Sequence, residues 1–359
     1  MPSRVTPTLN SSPSGNAPPR VLIVDDSAVA RAVIARAVEQ GGRFVVAGAV
    51  SSAGAALTFL RTNRVDGIVL DIQMPGVTGL AALPDLIAAG QGAKVLIASS
   101  SASDGAAATI EALALGAADT LVKPDVGDFA GRFSVALVDK LLRLLTVETP
   151  ADLPAPGRPR APTAAVGNGF DIVAIGASTG GIHALSVLLR ELPVTFPMPI
   201  LITQHLPESF MPYFAAQVAV LANRPCDVAT DCIRIRPGRV IVAPGNAHMR
   251  VVSTGDATAI RLTTEPARSG CMPSVDPMFD SLAEVYGSRA LGIVLSGMGR
   301  DGCDGAQSLI DRGAAVVVQD RASSVVWGMP GAIASAGIAS AVMTPAEIGR
   351  LTAARRRPI

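Results

Sequence analysis

From Arg20 onward, short apolar runs alternate with segments whose apolar positions recur every three to four residues. The runs VLIVDD, FVVAGAV, GIVLDIQMP, KVLIASS and AADTLVKP read as strands. Helical periods follow them, to about Glu39 and near 52–62, 79–89, 104–115 and 128–146. Continuous apolar runs of this length suit strands buried on both faces, and strict alternation with helices predicts a doubly wound parallel sheet with right-handed crossovers. The pattern stops at 147–168, where proline, alanine and small residues replace any apolar period, the composition of a semi-extended linker. It resumes with FDIVAIGAS, MPILITQH, RALGIVLSG and AAVVVQD, with helical periods near 208–221 and 304–313. Between them, RVIVAPGNAHMRVVSTGDATAIRLTTE reads as hairpins, its Thr-Gly-Asp turn joining two alternating strands. The expected organisation is a disordered extension over 1–19, an α/β domain over 20–146, a linker over 147–168 and a second α/β domain over 169–355.

Composition narrows this without changing it. A length of 359 residues accommodates two domains, each with its own core. The chain is 49% hydrophobic but only 3% aromatic, the balance expected of parallel strands covered by helices. A formal net charge of +1 gives no broad basic surface for nucleic acid, and Arg355 to Arg357 read as a solvated tail. Cys226, Cys232, Cys271 and Cys303 form no CxxC pair, which argues against a zinc ribbon or redox motif and for reduced, buried or inert thiols. The first nineteen residues lack an apolar signal region, and no later segment reaches about 18 uninterrupted apolar residues. A soluble, cytoplasmic protein is expected.

In the first domain, Asp25 and Asp26 end the first strand, Asp71 the third, Ser99 the fourth and Lys123 the fifth. All five should meet at one edge of the sheet, where α/β proteins bind ligands. Carboxylates brought together repel unless a cation is present, and hard oxygen ligands suit Mg²⁺, which also neutralises a phosphoryl group arriving at Asp71.

In the second domain, GASTGG follows a strand and opens a helix, so its loop either cradles a phosphate or exposes Ser178 as a nucleophile. The lysines of the chain are at 94, 123 and 140, which excludes a Walker A loop here. The spacing G-x-x-x-G-G is not the dinucleotide fingerprint, and no acidic residue ends a second strand beyond it. Gly176-Ala-Ser178-Thr-Gly180 does fit G-x-S-x-G, a turn that exposes a serine beside helix N–H groups able to stabilise an oxyanion. Among the histidines, His205 ends the neighbouring strand and is the candidate base; His248, among hairpin strands, reads as structural and is the reserve candidate, and His183 reads as a surface or packing residue. Asp301, in the loop after RALGIVLSG, is the candidate acid that orients the base, with Asp276 and Asp320 as weaker rivals. The order Ser178, His205, Asp301 excludes the ordinary α/β-hydrolase, which needs a late histidine.

The first half resembles the receiver domain of response regulators in VDDS (24–27), DIQMPGVTGL (71–80), the serines at 99–100 and LVKP (121–124). The second half resembles the CheB catalytic domain in GASTGG (176–181), QHLPESF (204–210), APGNAH (243–248), PSVDPMF (273–279), GMGRDG (297–302), and QD with GMP (319–320, 328–330). The resemblance implies a flavodoxin-like five-stranded receiver joined to a methylesterase domain whose mostly parallel sheet carries an antiparallel hairpin. It implies phosphorylation of Asp71 by a chemotaxis histidine kinase, Mg²⁺ on Asp25, Asp26 and Asp71, phosphate contact by Lys123, and Ser99 as the switch hydroxyl. Thr78 stands where an aspartate is common. The resemblance also implies Ser178 as nucleophile, His205 as base, Asp301 as its acid, and Thr179 with the Met298 loop at the oxyanion. No cofactor is implied for the hydrolytic step, and the implied substrates are methyl-accepting chemoreceptors, through which alone the protein would meet a membrane. Where the family usually has His-Arg before PSVD, this chain has Cys271-Met272. A phosphorylation-controlled binding module is the rival reading; a DNA-binding regulator lacks the compact basic helix pair it needs.

Overall fold

The computed structural model describes residues 17–99, 103–123, 130–145 and 169–355; the 147–168 linker and most of the 1–19 extension lie outside the described residues. In the first domain β1 (Arg20–Val24), β2 (Val45–Val50), β3 (Gly67–Asp71), β4 (Lys94–Ser99) and β5 (Asp119–Val122) form a sheet ordered β2-β1-β3-β4-β5. Every pair in it is parallel. Leu22, Ile23, Leu70, Leu96 and Ile97 are fully buried, each stabilising the fold by about 1.5–3 kcal/mol. Helices α1 (Ala28–Glu39), α2 (Ala53–Leu60), α3 (Gly79–Gly90), α4 (Ser103–Leu115) and α5 (Ala130–Leu145) cover the faces. Ser27, Ser52 and Thr78 cap the first three, each accepting a backbone N–H two to three residues into its helix. Thr78 thereby serves the start of α3 rather than the acidic pocket. The adjoining Gly79 is required by space: a Cβ there would lie 1.9 Å from the Asp71 carbonyl oxygen.

The second domain is built on seven parallel strands: β6 (Ile172–Ala177), β7 (Ile200–Gln204), β8 (Cys226–Val228), β9 (Val240–Val242), β12 (Ala290–Val294), β13 (Ala315–Gln319) and β14 (Ala341–Met343). Their order is β14-β13-β12-β6-β7-β9-β8. A separate antiparallel pair, β10 (His248–Thr254) and β11 (Ala257–Thr263), forms the hairpin expected around Thr-Gly-Asp. The RVIVA segment is not part of a hairpin: β9 pairs with β7 in parallel. Its three residues are all buried, so no alternation exists to reveal which way it pairs. Helices α6 (Gly181–Arg190), α7 (Met211–Ala222), α8 (Val275–Val285), α9 (Cys303–Asp311), α10 (Gly328–Ser335) and α11 (Pro345–Ala353) flank the sheet.

The two domains share packing. Helix α4 lies against α6 and α7, and Leu113, Ala114 and Ala117 belong to the same apolar cluster as Ile182 and Leu185. No helix among the described residues is long and apolar enough to cross a membrane.

Candidate active site

Strands β12, β6 and β7 are consecutive neighbours in the middle of the larger sheet. Loops leaving their carboxyl ends therefore lie side by side, and these loops carry Asp301, Ser178 and His205 respectively. His205 Nε2 and Asp301 Oδ2 are 2.7 Å apart. Asp301 is also held by the start of α8: Val275 N donates to Oδ2 at 2.8 Å, and Ser274 Oγ and Asp276 N donate to Oδ1 at 2.6 and 3.4 Å. Gly302 N adds a fourth donor at 3.1 Å. A helix N-terminus offers unpaired N–H groups and positive dipole, so the carboxylate needs no cationic side chain besides the ring.

The electrostatics follow from these contacts. Burial alone drives the Asp301 carboxyl up, but the bonds from His205, Ser274 and Val275 and the charge of the ring more than reverse it, holding it at about 2. Burial likewise disfavours a charged His205, yet Asp301, with the Cys271 side chain beside the ring, pushes its pKa up to about 9. With Nε2–H donated to Asp301, the neutral ring keeps Nδ1 as its proton acceptor.

Ser178 lines the same cavity as His205, Thr179 and Gln204, but no hydrogen bond joins Ser178 Oγ to His205 among the described residues. Such contacts are often long until substrate arrives. The serine loop is fixed by Ser178 N donating to Ser296 O at 3.0 Å and by Gln204 Nε2 donating to Ser178 O at 3.0 Å. Gly180 closes the turn into α6 with a φ of +75°, and a side chain there would strike Val325. Met298 is 37% exposed, in a loop whose Gly297 abuts Ser178.

The first domain sits directly on this loop. Gly180 N donates to Ala118 O at 3.1 Å, and Thr179 Oγ1 lies 3.5 Å from Asp119 Oδ2. His183 Nδ1 and Ser186 Oγ both reach Ala114 O, at 3.0 and 3.2 Å. His183 is therefore more than a surface or packing residue: it bonds across the domains. Leu113, Ala117, Ala118 and Asp119 share the cavity with Ser178 and His205 and leave it about 40 Å³. A single water needs roughly 10–15 Å³ of such space, so the receiver residues leave Ser178 and His205 a cleft that holds a few waters while the domains are packed this way.

Other candidates fall elsewhere. His248 Nδ1 accepts from Ser274 N at 2.9 Å, so its Nε2–H donates to Glu265 O, also at 2.9 Å; it braces the loop that holds Asp301. Asp276, buried in the first turn of α8, accepts from Gly305 N at 2.8 Å. Burial, with Asp301 and Asp304 nearby, pushes its pKa up to about 7. Asp320 caps its own turn through Ala322 N and Ser323 N. His248 thus has the structural role that its place among the hairpin strands suggests; the supporting roles of Ser274 and Gln204 were missed in the sequence, although both lie inside the motifs quoted above. The cysteines are unpaired, but Cys232 is exposed and Cys271 reaches the His205 site, so the expectation of buried, inert thiols fits Cys303 best.

At the edge of the smaller sheet, Lys123 Nζ lies 2.6 Å from both Asp25 Oδ2 and Asp71 Oδ2. Asp25, Asp26 and Asp71 offer carboxylate oxygens all within 4.8 Å of one another. Asp25 and Asp71 are buried while Asp26 faces solvent. Burial holds the Asp71 carboxyl above its ordinary range in spite of its Lys123 partner. Ser99 is buried at the end of β4, and its carbonyl accepts from Lys123 N at 2.7 Å.

An acidic pocket on a five-stranded parallel sheet, packed through α4 onto a serine loop, defines a response regulator with a hydrolase as its output domain. The family model described as CheB methylesterase matches residues 173–352, and that described as response regulator receiver domain matches 21–129. Protein-glutamate methylesterase/protein-glutamine glutaminase 2 of Caulobacter vibrioides is 40% identical, with 95% of this chain and 99% of that protein covered. Protein-glutamate methylesterase/protein-glutamine glutaminase 1 of Paramagnetospirillum magneticum is 39% identical, covering 92% and 94%. The solved CheB methylesterase catalytic domain of Thermotoga maritima is 32% identical, with a TM-score of 0.50, covering 51% of this chain and 97% of that one. The chain belongs to the CheB methylesterase family.

Proposed function

We propose that the protein hydrolyses glutamate methyl esters on the cytoplasmic helices of methyl-accepting chemoreceptors and deamidates certain glutamines there. The products are glutamate with methanol or ammonia, and the output is chemotactic adaptation. The observation that carries this reading is the 2.7 Å His205–Asp301 pair at the end of the strand beside the one bearing Ser178. Ser178 Oγ attacks the γ-carbonyl while its proton passes to His205 Nδ1. Thr179, the Met298 loop and the N–H groups at the start of α6 face the developing oxyanion. His205 returns the proton to the leaving methanol or ammonia, giving a γ-glutamyl ester on Ser178. Water, deprotonated by His205, then releases the carboxylate.

Control comes from the receiver, taken here as 20–146 and joined by the 147–168 linker to a catalytic domain over 169–355. A chemotaxis histidine kinase supplies the phosphoryl group to Asp71. Asp25, Asp26 and Asp71 would hold Mg²⁺: all offer hard oxygens within 4.8 Å of one another, and the buried Asp25 Oδ2 is neutralised only by the Lys123 ammonium 2.6 Å away. Bound there, the ion neutralises charge on the phosphoryl group. Lys123 then turns from Asp71 to the phosphate, and Ser99 supplies the switch hydroxyl. Phosphorylation shifts the receiver away from Ala114, Ala118 and Asp119 contacts and uncovers Ser178. The setting is cytoplasmic, with the membrane met only through receptors.

Methanol release from methylated receptor is the test. Ser178→Ala should lower it by about 10⁴-fold or more while Asp71 is still phosphorylated, and substantial residual release would remove Ser178 from the mechanism.

A further inference from the structure

We propose that His205, Cys271 and Asp301 form a binding site for zinc(II), and that zinc bound there switches the hydrolase off. A ring nitrogen of His205, Cys271 Sγ and a carboxylate oxygen of Asp301 all lie within 4.8 Å of one another. Zinc bonds of roughly 2.0–2.3 Å in a tetrahedron place its ligand atoms about 3–4 Å apart, so the donors come within reach of one ion once the His205–Asp301 pair, now at 2.7 Å, opens slightly. Cys271 is half-buried and follows Gly270, which turns the loop with a φ of +70°, and its thiol makes only a long contact, 3.9 Å, to Ser269 O. Asp301 is already fixed, its Oδ1 held by Ser274 Oγ at 2.6 Å and Gly302 N at 3.1 Å, the kind of outer support that orients a metal's carboxylate.

The donor set selects the ion. One imidazole, one thiolate and one carboxylate suit zinc, whereas Mg²⁺ keeps to oxygen ligands and its own waters. Among the described residues there are thus two three-residue clusters of different chemistry, all-oxygen at Asp25, Asp26 and Asp71 and mixed N, S and O at His205, Cys271 and Asp301. Thiolate and carboxylate together cancel the charge of the ion, so the site is neutral when filled. On binding, the thiol proton leaves to water and the fourth tetrahedral position is left to a water molecule.

The consequence for catalysis rests on the esterase reading above; the binding does not. An imidazole has two nitrogens. Whichever one zinc takes, the other carries the ring proton, so no lone pair remains to accept a proton from Ser178. The carboxylate that oriented the ring is engaged by the same ion.

The test uses the full chain with excess Mg²⁺, which occupies the receiver cluster. Cobalt(II) replaces zinc as a visible probe, and the expected result is a near-ultraviolet thiolate-to-cobalt band that saturates with a single ion and is displaced by zinc. The band should persist when Cys226, Cys232 and Cys303 are all replaced by serine, and in Ser178→Ala. It should vanish in Cys271→Ser and in His205→Gln. Zinc should inhibit methanol release reversibly, and Cys271→Ser, compared with its own zinc-free rate, should need at least ~10-fold more zinc. Absence of a thiolate band at saturating cobalt, an unchanged band in Cys271→Ser, equal zinc sensitivity of the two proteins, or a rise in rate with zinc would each overturn the proposal. If methanol release survived in Ser178→Ala while the band behaved as expected, the esterase reading would fall and the zinc site would stand.

Discussion

The two pockets of this chain both rest on buried aspartates at the carboxyl edge of a parallel sheet, yet they neutralise them in opposite ways. In the receiver, Asp25 and Asp71 share one cation, Lys123 Nζ, 2.6 Å from each. In the catalytic domain Asp301 is held by four neutral donors from a helix start and its loop, and only then by the His205 ring. A lysine on a flexible stem can turn to an incoming phosphate; backbone N–H groups cannot turn anywhere. Under the proposed function the first pocket changes its charge, while the second keeps one charge and one ring orientation constant. The contacts of α4 and β5 with the Ser178 loop connect them.

Removing the fixed charge should be the most damaging change. Asp301→Asn keeps the shape but no longer favours the ring tautomer that leaves Nδ1 free, and kcat for methanol release should fall by about 10³–10⁴-fold. A loss under tenfold would mean that the helix start, not the carboxylate, orients His205. A pH profile sharpens the same point. With His205 raised to about 9, the neutral base is scarce at neutral pH. The rate kcat/KM should therefore climb about tenfold per unit from pH 7 and level near 9. The sign for stability is opposite: the charged ring's contribution is complete below the free histidine value of about 6.5 and is lost as pH rises through about 9. Thermal unfolding measured from pH 6 to 10 should show that loss in the wild type and not in His205→Ala.

The connection between the pockets should respond more gently. Replacing both His183 and Ser186 by alanine removes the His183 bond to Ala114 O and the Ser186 hydroxyl, which shares its one proton between Ala114 O and His183 O. At about 1 kcal/mol each, discounted for partial exposure, their loss should raise the unphosphorylated rate roughly fivefold. An unchanged rate would show that apolar packing of Leu113 and Ala117 alone keeps the receiver in place. Ser274→Ala should have the smallest effect, about tenfold or less, because three other donors still hold Asp301. Its signature is a shift of the pH profile beyond any fall in rate.

What the sequence showed and what it hid have the same physical basis. Strand ends are legible because an apolar run stops abruptly at a polar residue, and that places Asp25, Asp71, Lys123, Ser178 and His205 without knowledge of tertiary contacts. Asp301 was legible from the glycines around it, but not the donors that hold it: Ser274 lies 27 positions earlier and arrives by way of a different helix. Strand β9 was misread because three buried residues carry no period. His183 has a helical position that suits any surface, and only the receiver's Ala114 carbonyl gives it a partner. Interdomain contacts of this kind have no local pattern to read.

The central claim is that charge at Asp71 uncovers Ser178. The direct measurement is the rate of methanol release from methylated receptor, with and without a phosphoryl analogue and Mg²⁺, for the wild type and for Asp71→Ala. The account predicts that the analogue raises the rate in the wild type and leaves Asp71→Ala unchanged. Equal responses in the two proteins would contradict it.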